Sequence, residues 1–411
     1  MVLGGGAREH AITKALIRTG TAAKDIVVAP GNAGIALEVE VESGLNANDP
    51  LEVVKFALAN EIELAIIGPE APLVAGVSDA LRSQGIAVFG PSRAAAALEG
   101  SKSFAKEVMA AADVPTARAR ECTTLEEVES ALNEFGAPYV VKADGLAAGK
   151  GVIVTSDREA ALTHAKQFIE MGILVEEFLE GQEVSLFFLS DGKTVLPLSP
   201  AQDFKRAFDN DEGPNTGGMG AYSPLPWLPK DFIEEVERTV AQPTVDQLAR
   251  MGTPFVGLLY CGLIVTPRGI RVIEFNARFG DPETQVVLAR LITPLASLLS
   301  RAATGRLADG PSAQFSKDVA VTVVLASEGY PQRPAPDRPI GNLTEGPGVH
   351  ICHASTSQRG DALVATGGRV LSVVATAASF SQARELAYDN ISKIQLEGSH
   401  FRSDIAAKVS D

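Results

Sequence analysis

Lys142-Ala143-Asp144-Gly145-Leu146-Ala147-Ala148-Gly149-Lys150-Gly151 stands between two β-branched runs, Tyr139-Val140-Val141-Lys142 before it and Gly151-Val152-Ile153-Val154 after it. The pattern predicts two strands joined by a loop of small residues. Small residues let a backbone approach polyphosphate, and Lys142 and Lys150 offset its charge. The loop is not a Walker A motif, which needs glycine where Asp144 stands and Ser or Thr where Gly151 stands, and which leads into a helix. Taken alone, the same residues also describe a flexible hairpin with solvated lysines. The flanking sequence has to separate the two readings.

On the C-terminal side, a helix is expected over 158–170, then a strand in Leu174-Val175-Glu176-Glu177-Phe178 and a hairpin turning at Ser190-Asp191-Gly192. The connection after Glu176 can offer a backbone N–H and C=O to an adenine edge, with Glu183 in reach of ribose hydroxyls, although acidic strand ends are most often simply solvated. The polar stretch 202–220 reads as a long loop, and loops of that length are usually functional or mobile. A helix near 232–251 leads to a hairpin whose second strand ends in Ile273-Glu274-Phe275-Asn276-Ala277-Arg278. Alternation puts Glu274, Asn276 and Arg278 on one face. A carboxylate and an amide oxygen two residues apart are hard ligands suited to Mg²⁺ held against phosphates. Arg278 could then steady phosphoryl or carboxylate oxygens by bidentate hydrogen bonds. The alternative is a polar strand end facing water. From about Lys317 the chain reads as a small α+β unit with a strand at 319–326 and a helix near 381–394.

On the N-terminal side, the apolar runs at 25–30, 64–69 and 86–91 end in Gly or Pro and are separated by helical stretches such as 50–60. This predicts an open parallel α/β domain with ligands at the carboxyl ends of its strands. Gly4-Gly5-Gly6-Ala7-Arg8-Glu9-His10 fails as a dinucleotide fingerprint, because Glu9 takes the third glycine position. A strand-to-helix glycine turn can still hold an anion, or be no more than a tight turn. The first strand, Met1-Val2-Leu3, falls short of the usual five or six residues, so either the true start lies upstream or the strand is short.

A length of 411 residues implies about two to four domains. Hydrophobic residues at 45% and charged residues at 21% exclude a disordered chain. Lys+Arg 36 against Asp+Glu 51 gives −15, which argues against a broad nucleic-acid surface while leaving room for a local basic pocket. The cysteines Cys122, Cys261 and Cys352 are far apart, suggesting neither disulfides nor zinc. With no leader or membrane-length apolar run in view, a cytoplasmic protein is expected. Neither H-E-x-x-H nor G-x-S-x-G occurs, and the remaining vocabulary of Gly, Lys, Glu, Asn and Arg belongs to phosphoryl transfer.

Together these motifs resemble the phosphoribosylamine–glycine ligase (glycinamide ribonucleotide synthetase) family of the ATP-grasp superfamily. The resemblance runs nearly end to end: GGGAREHA at 4–11, APGNAG at 29–34, GPEAPL at 68–73, FGP at 89–91, EGSK at 99–102, VVKADGLAAGKGV at 140–152, QDFKRAFDNDEGPNTGGMGAYSP at 202–224, VIEFNARFGDPETQ at 272–285, and in the last segment VVLAS, GGRVL and FRSDI. It implies ATP-dependent ligation of glycine to 5-phosphoribosylamine through glycyl phosphate, in purine synthesis. It also implies an open α/β domain over 1–98, an ATP-grasp core over 99–310 with a lid at about 114–185, and an α+β domain over 311–411. By this similarity Lys102 and Lys142 contact the nucleotide phosphates, Gly145, Gly149, Lys150 and Gly151 belong to a loop that closes over them, Glu176, Phe178 and Leu179 frame the adenine, and Glu183 holds the ribose. Glu274 and Asn276 bind Mg²⁺ or Mn²⁺, and Arg278, with Lys142, serves the transfer. Gly5, Gly6, Asn32, Glu70 and Asp281 receive phosphoribosylamine. The family's usual Gly-Ser-Gly-Gly-Arg-Glu-His has Ala7 at its fourth position here; a methyl group there disfavours φ > 0, so the turn must differ if the family uses that conformation. A monomer is expected, with no nucleic-acid or membrane partner. The alternatives are another ATP-grasp ligase, a formate-dependent transformylase, or a catalytically silent nucleotide sensor.

Overall fold

In the computed structural model, which describes residues 1–145 and 151–410, the short N-terminal run does form a strand: β1 (Val2–Gly4). It is followed by α1 (Ala7–Arg18), β2 (Val27–Pro30), β3 (Glu40–Val41), α2 (Pro50–Ala59), β4 (Leu64–Ile67), α3 (Glu70–Ala75), α4 (Val77–Ser83), β5 (Ala87–Phe89) and α5 (Arg93–Gly100). The strands make one parallel sheet in the order β3-β2-β1-β4-β5. Three residues suffice for β1 because it is central, with Val2 buried between Val28 and Ile66. Ala7 opens α1 in helical conformation, so its methyl group meets no conformational penalty, and the positive φ of the turn falls on Gly4 (125°).

After α6 (Lys102–Ala111) comes a second unit: β6 (Ala119–Cys122), α7 (Leu125–Phe135), β7 (Tyr139–Ala143), β8 (Val152–Thr155), α8 (Arg158–Phe168) and β9 (Ile173–Glu176). Its antiparallel sheet runs β6-β9-β7-β8 and shares a small core with both helices, including Val128, Leu132, Val141, Ala161 and Val175. Thr124 and Glu127 close a capping box on α7. The sheet ends at Glu176, and the last residues of the stretch assigned to the lid, 182–185, open the first strand of the next sheet.

That strand is β10 (Gln182–Asp191), followed by β11 (Val195–Pro197), β12 (Gln202–Asp203), β13 (Arg206–Phe208), β14 (Glu212–Asn215) and β15 (Gly220–Ser223). The expectation of an irregular loop over 202–220 is therefore corrected: β13 and β14 form a hairpin. Its partners come from far along the chain. Arg402, fully buried, pairs with Asp211 (2.9 Å) and Asp404 (2.6 Å), donates to Arg206 O, and stacks 5.0 Å over the Phe204 ring. No local sequence pattern announces such a clamp.

The helix expected near 232–251 is α9 (Phe232–Val236) and α10 (Gln242–Arg250) joined by a π-helical turn at Glu237–Ala241. The wider turn precedes Pro243, which has no N–H to donate and whose ring would press on the Thr239 carbonyl in regular α geometry. β16 (Val256–Thr266) and β17 (Gly269–Asn276) complete an antiparallel sheet in the order β11-β10-β16-β17. Then follow α11 (Glu283–Arg290), α12 (Leu295–Ala303), β18 (Val319–Ala326), β19 (Arg338–Pro339), β20 (Val349–His353), β21 (Thr356–Arg359), β22 (Ala362–Ala365), β23 (Arg369–Ala377) and α13 (Phe380–Ile391). The C-terminal sheet has the order β12-β15-β18-β23-β20, so it borrows two strands from the middle of the chain. Against the first unit it is fastened at α1, where His353 N donates to His10 Nδ1 at 2.8 Å. No described helix is long and apolar enough to cross a membrane.

Candidate active site

The site is built at the end of β17. Opposite it, Gly262 pairs with Glu274 and Leu263 pairs with Val272, leaving Ile273 as an extra, bulged residue. Bulges commonly re-aim side chains beside a site. Here the bulge frees the Ile273 carbonyl, which accepts from Lys142 Nζ at 3.1 Å. A Cβ on Gly262 would lie 3.1 Å from Glu274 Cγ, so glycine leaves the Glu274 side chain its room. Glu274 and Asn276 are half-buried, and among the described residues neither side chain makes an ion pair or hydrogen bond. Among the described residues their oxygens are uncommitted. The same residues include no group of three His, Cys, Asp or Glu that could cage a metal. A carboxylate plus an amide oxygen fits a Mg²⁺ ion that completes its shell with water and phosphate.

Two lysines approach this strand end. Lys142, on β7 and nearly fully buried, lies 2.6 Å from Glu176 Oε2, while Lys106 lies 2.7 Å from Glu176 Oε1. Burial opposes charge on all of them, but Glu176 outweighs it for Lys142, which is held above its ordinary value, and the two lysines hold the Glu176 carboxyl below its own. The Glu176 carboxylate is thus committed to lysines, and the adenine expectation for this strand end rests on backbone groups and on the residues after it. Phe178 is 42% exposed and Leu179 half-buried in the segment between β9 and β10. Lys102, at the start of α6, donates to the carbonyls of Ala143 (2.8 Å) and Gly145 (3.1 Å). Burial lowers its pKa, with Glu274 pulling the other way. Asp144 accepts from Lys102 N at 2.6 Å and from Ser103 N and Oγ, so its carboxylate caps the start of α6. Gly145 has φ 137°, and Gly151 O accepts from Ala143 N at 2.7 Å. Gly149 and Lys150 lie outside the described residues.

Arg278 follows two residues after Asn276. Its Nη2 is 2.9 Å from Glu99 and its Nε 3.5 Å from Glu70, at the start of α3. Burial works against the guanidinium, yet Glu99 and Glu70 hold its pKa above the ordinary value. Asp281 accepts from Gln285 Nε2 (2.9 Å) and faces Arg369 Nη1 (3.2 Å), which also donates to Gly217 O and Asp281 O. Gly6 N donates to Glu9 Oε2 at 2.6 Å, and a Cβ on Gly6 would stand 4.0 Å from Asp281 Oδ2, so the glycine turn and the Asp281 loop face each other. Gly5 must be glycine for another reason, since a Cβ there would fall 2.3 Å from Gly31 O. Asn32 is spent on the fold. Its Nδ2 donates to Gly5 O and His353 O and its Oδ1 accepts from Gly34 N and Ile35 N, leaving no capacity for a ligand in this arrangement. Glu183, on β10, is paired with Lys205 at 2.7 Å, and Lys205 also meets Asp203 at 3.0 Å. Burial pushes the Asp203 carboxyl up to about 7 against the pull of Lys205.

Sequence reasoning missed Lys106, Glu99, Asp144, Lys205 and Arg369 as members of this constellation. Glu99 and Lys205 stood inside noted motifs, but nothing local distinguished their side chains from solvated charges. Arg369 arrives from β23, a connection that only the borrowed-strand sheet makes.

Sequence models of phosphoribosylglycinamide synthetase match three stretches of the chain: the N domain at residues 1–99, the ATP-grasp (A) domain at 100–284 and the C domain at 320–408. The chain is 64% identical over 415 residues to phosphoribosylamine–glycine ligase of Leifsonia xyli subsp. xyli, covering 100% of this chain and 99% of that one. It is 58% identical over 418 residues to the enzyme of that name from Streptomyces coelicolor, again covering 100% and 99%. Among solved structures it is similar to phosphoribosylamine–glycine ligase from Thermotoga maritima, with TM-score 0.86, 32% identity and 98% of each chain covered. The biotin carboxylase domain of a Hydrogenobacter thermophilus 2-oxoglutarate carboxylase, solved with MgADP and bicarbonate, shares the fold at TM-score 0.72 and 18% identity, over 97% of this chain and 91% of that one.

Proposed function

We propose, since the chain belongs to the phosphoribosylglycinamide synthetase family, that it joins glycine to 5-phosphoribosylamine with conversion of ATP to ADP and phosphate, a step of purine biosynthesis. The observation that carries this reading is the meeting of uncommitted Glu274 and Asn276 oxygens with buried Lys142, with Arg278 two residues beyond.

In this reading a glycine carboxylate oxygen attacks the γ-phosphorus, ADP leaves, and glycyl phosphate forms. The amine of phosphoribosylamine then attacks the acyl carbon, phosphate leaves with the original carboxylate oxygen, and the amine gives up a proton. Such chemistry needs alignment, charge neutralisation and exclusion of water rather than a covalent enzyme intermediate. Lys102 and Lys142 neutralise nucleotide phosphates. Gly145, Gly149, Lys150 and Gly151 close over them, and Glu176, through its backbone, frames the adenine with Phe178 and Leu179. Glu183 takes the ribose hydroxyls after exchanging Lys205 for them. Glu274 and Asn276 hold a divalent cation, Mg²⁺ or Mn²⁺, which supplies Lewis-acid stabilisation to phosphate oxygens when bound. Arg278 steadies the transferring group. Gly5, Gly6, Glu70 and Asp281 receive phosphoribosylamine, with Asn32 shaping that turn from behind. The domain limits near 98 and 310, a cytoplasmic location and a monomeric state complete the proposal.

With ATP, Mg²⁺, glycine and freshly generated phosphoribosylamine, ADP release is expected to require both co-substrates. ADP formed with formate but not glycine points instead to a transformylase, and nucleotide binding without turnover on any candidate acid points to a sensor.

A further inference from the structure

Arg278 is held at its two terminal nitrogens, Nη2 by Glu99 and Nη1 by Phe279 O at 3.3 Å. A single carboxylate, Glu99, accepts from Ala277 N at 2.7 Å through Oε2 and meets Arg278 Nη2 at 2.9 Å through Oε1, so it grips two consecutive residues beyond the end of β17. Arg278 Nε, by contrast, is buried and has no hydrogen-bond partner among the described residues; the Glu70 carboxylate stands 3.5 Å away. A buried N–H without a partner is unfavourable, and an anionic ligand oxygen would relieve it. Glu99 cannot easily turn elsewhere. Its side chain is 7% exposed, and it lies in the last turn of α5, one residue before the junction with α6.

We infer that Glu99 is a positioning residue for the ligation: it holds Arg278 by the Nη2 edge, presents Nε to the oxygens of the transferring phosphoryl or acyl phosphate group, and acts on the reaction only through Arg278. This rests on the role given to Arg278 above. Glu70, the looser partner, is the contact that an incoming anion displaces; Glu99 is the one that stays.

The test is a double-mutant cycle on the full chain with Glu99→Gln, Arg278→Ala and the pair, read as kcat and KM for glycine-dependent ADP release. Glutamine keeps an acceptor for Ala277 N and removes the charge-assisted hold on Arg278. Glu99→Gln is expected to lower kcat by about 10- to 50-fold with KM for ATP within about twofold, and to change kcat by less than about twofold when Arg278 is already alanine. A further loss of full size in the Arg278→Ala background, or wild-type kcat for Glu99→Gln alone, overturns the inference. If Glu99→Gln does not fold, Glu99→Asp, which keeps the charge at shorter reach, is carried through the same cycle and judged by the same non-additivity. Absence of glycine-dependent ADP release from the wild type would instead remove the proposed function, so the two failures are distinguishable.

Discussion

Glu274→Gln is expected to lower Mg²⁺-dependent turnover by about 100- to 1,000-fold, which corresponds to about 3–4 kcal/mol of lost transition-state stabilisation. Glutamine preserves the shape of the side chain and its oxygen, but removes the charge that makes it a hard-cation ligand. The fold should not suffer, because Glu274 has no hydrogen-bond or salt-bridge partner among the described residues for the change to orphan. Melting temperature should therefore move by no more than about 2 °C. The measurement is kcat against Mg²⁺ concentration together with a melting curve, and an unchanged rate at every concentration would remove Glu274 from its assigned role.

Lys142→Met should fail differently. It removes one of the two cations on a buried carboxylate, leaving Glu176 with Lys106 alone, and breaking a buried pair from one side destabilises by about 3–5 kcal/mol. In the proposed reading it also removes a cation from the phosphate site. Lys142→Met is thus expected to show both a lower melting temperature and loss of the stabilisation that ATP gives the wild type. The paired change Lys142→Met with Glu176→Gln separates the two effects, because a neutral partner no longer leaves an unbalanced charge. Thermal stability should return in the double variant while turnover stays low. Recovery of turnover along with stability would mean that Lys142 matters only for the fold.

Much of the architecture was legible because it is written in local periodicity and punctuation. The strand at 319–326 and the helix at 50–59 were read almost to the residue, since a continuous β-branched apolar run and a Pro boundary report directly on backbone geometry. The stretch 202–220 was not. Its hairpin depends on Arg402, Asp404 and Ser403, nearly two hundred residues away, and its polar composition matches a loop until those partners are placed. The site divides along the same line. Glu274 and Asn276 share a face of β17, so a period of two was enough to group them, whereas Arg278 stands past the strand's end. Glu176 looked like a ligand-facing strand end, but whether its carboxylate meets solvent, adenine or a lysine depends on β7 and α6 packing around it, which no window of sequence contains. The Asn32 side chain is committed for a similar reason, its amide being occupied by backbone groups from β20 and its own turn.

The central claim is that a carboxylate oxygen of glycine passes to the γ-phosphorus before the amide forms. Glycine labelled with ¹⁸O in its carboxylate tests it in one turnover experiment with ATP, Mg²⁺ and phosphoribosylamine, reading the released phosphate by mass. A single labelled oxygen in each phosphate released is the predicted result, because the attacking oxygen leaves on phosphorus. Phosphate free of label, with amide product formed at the same rate, would contradict it.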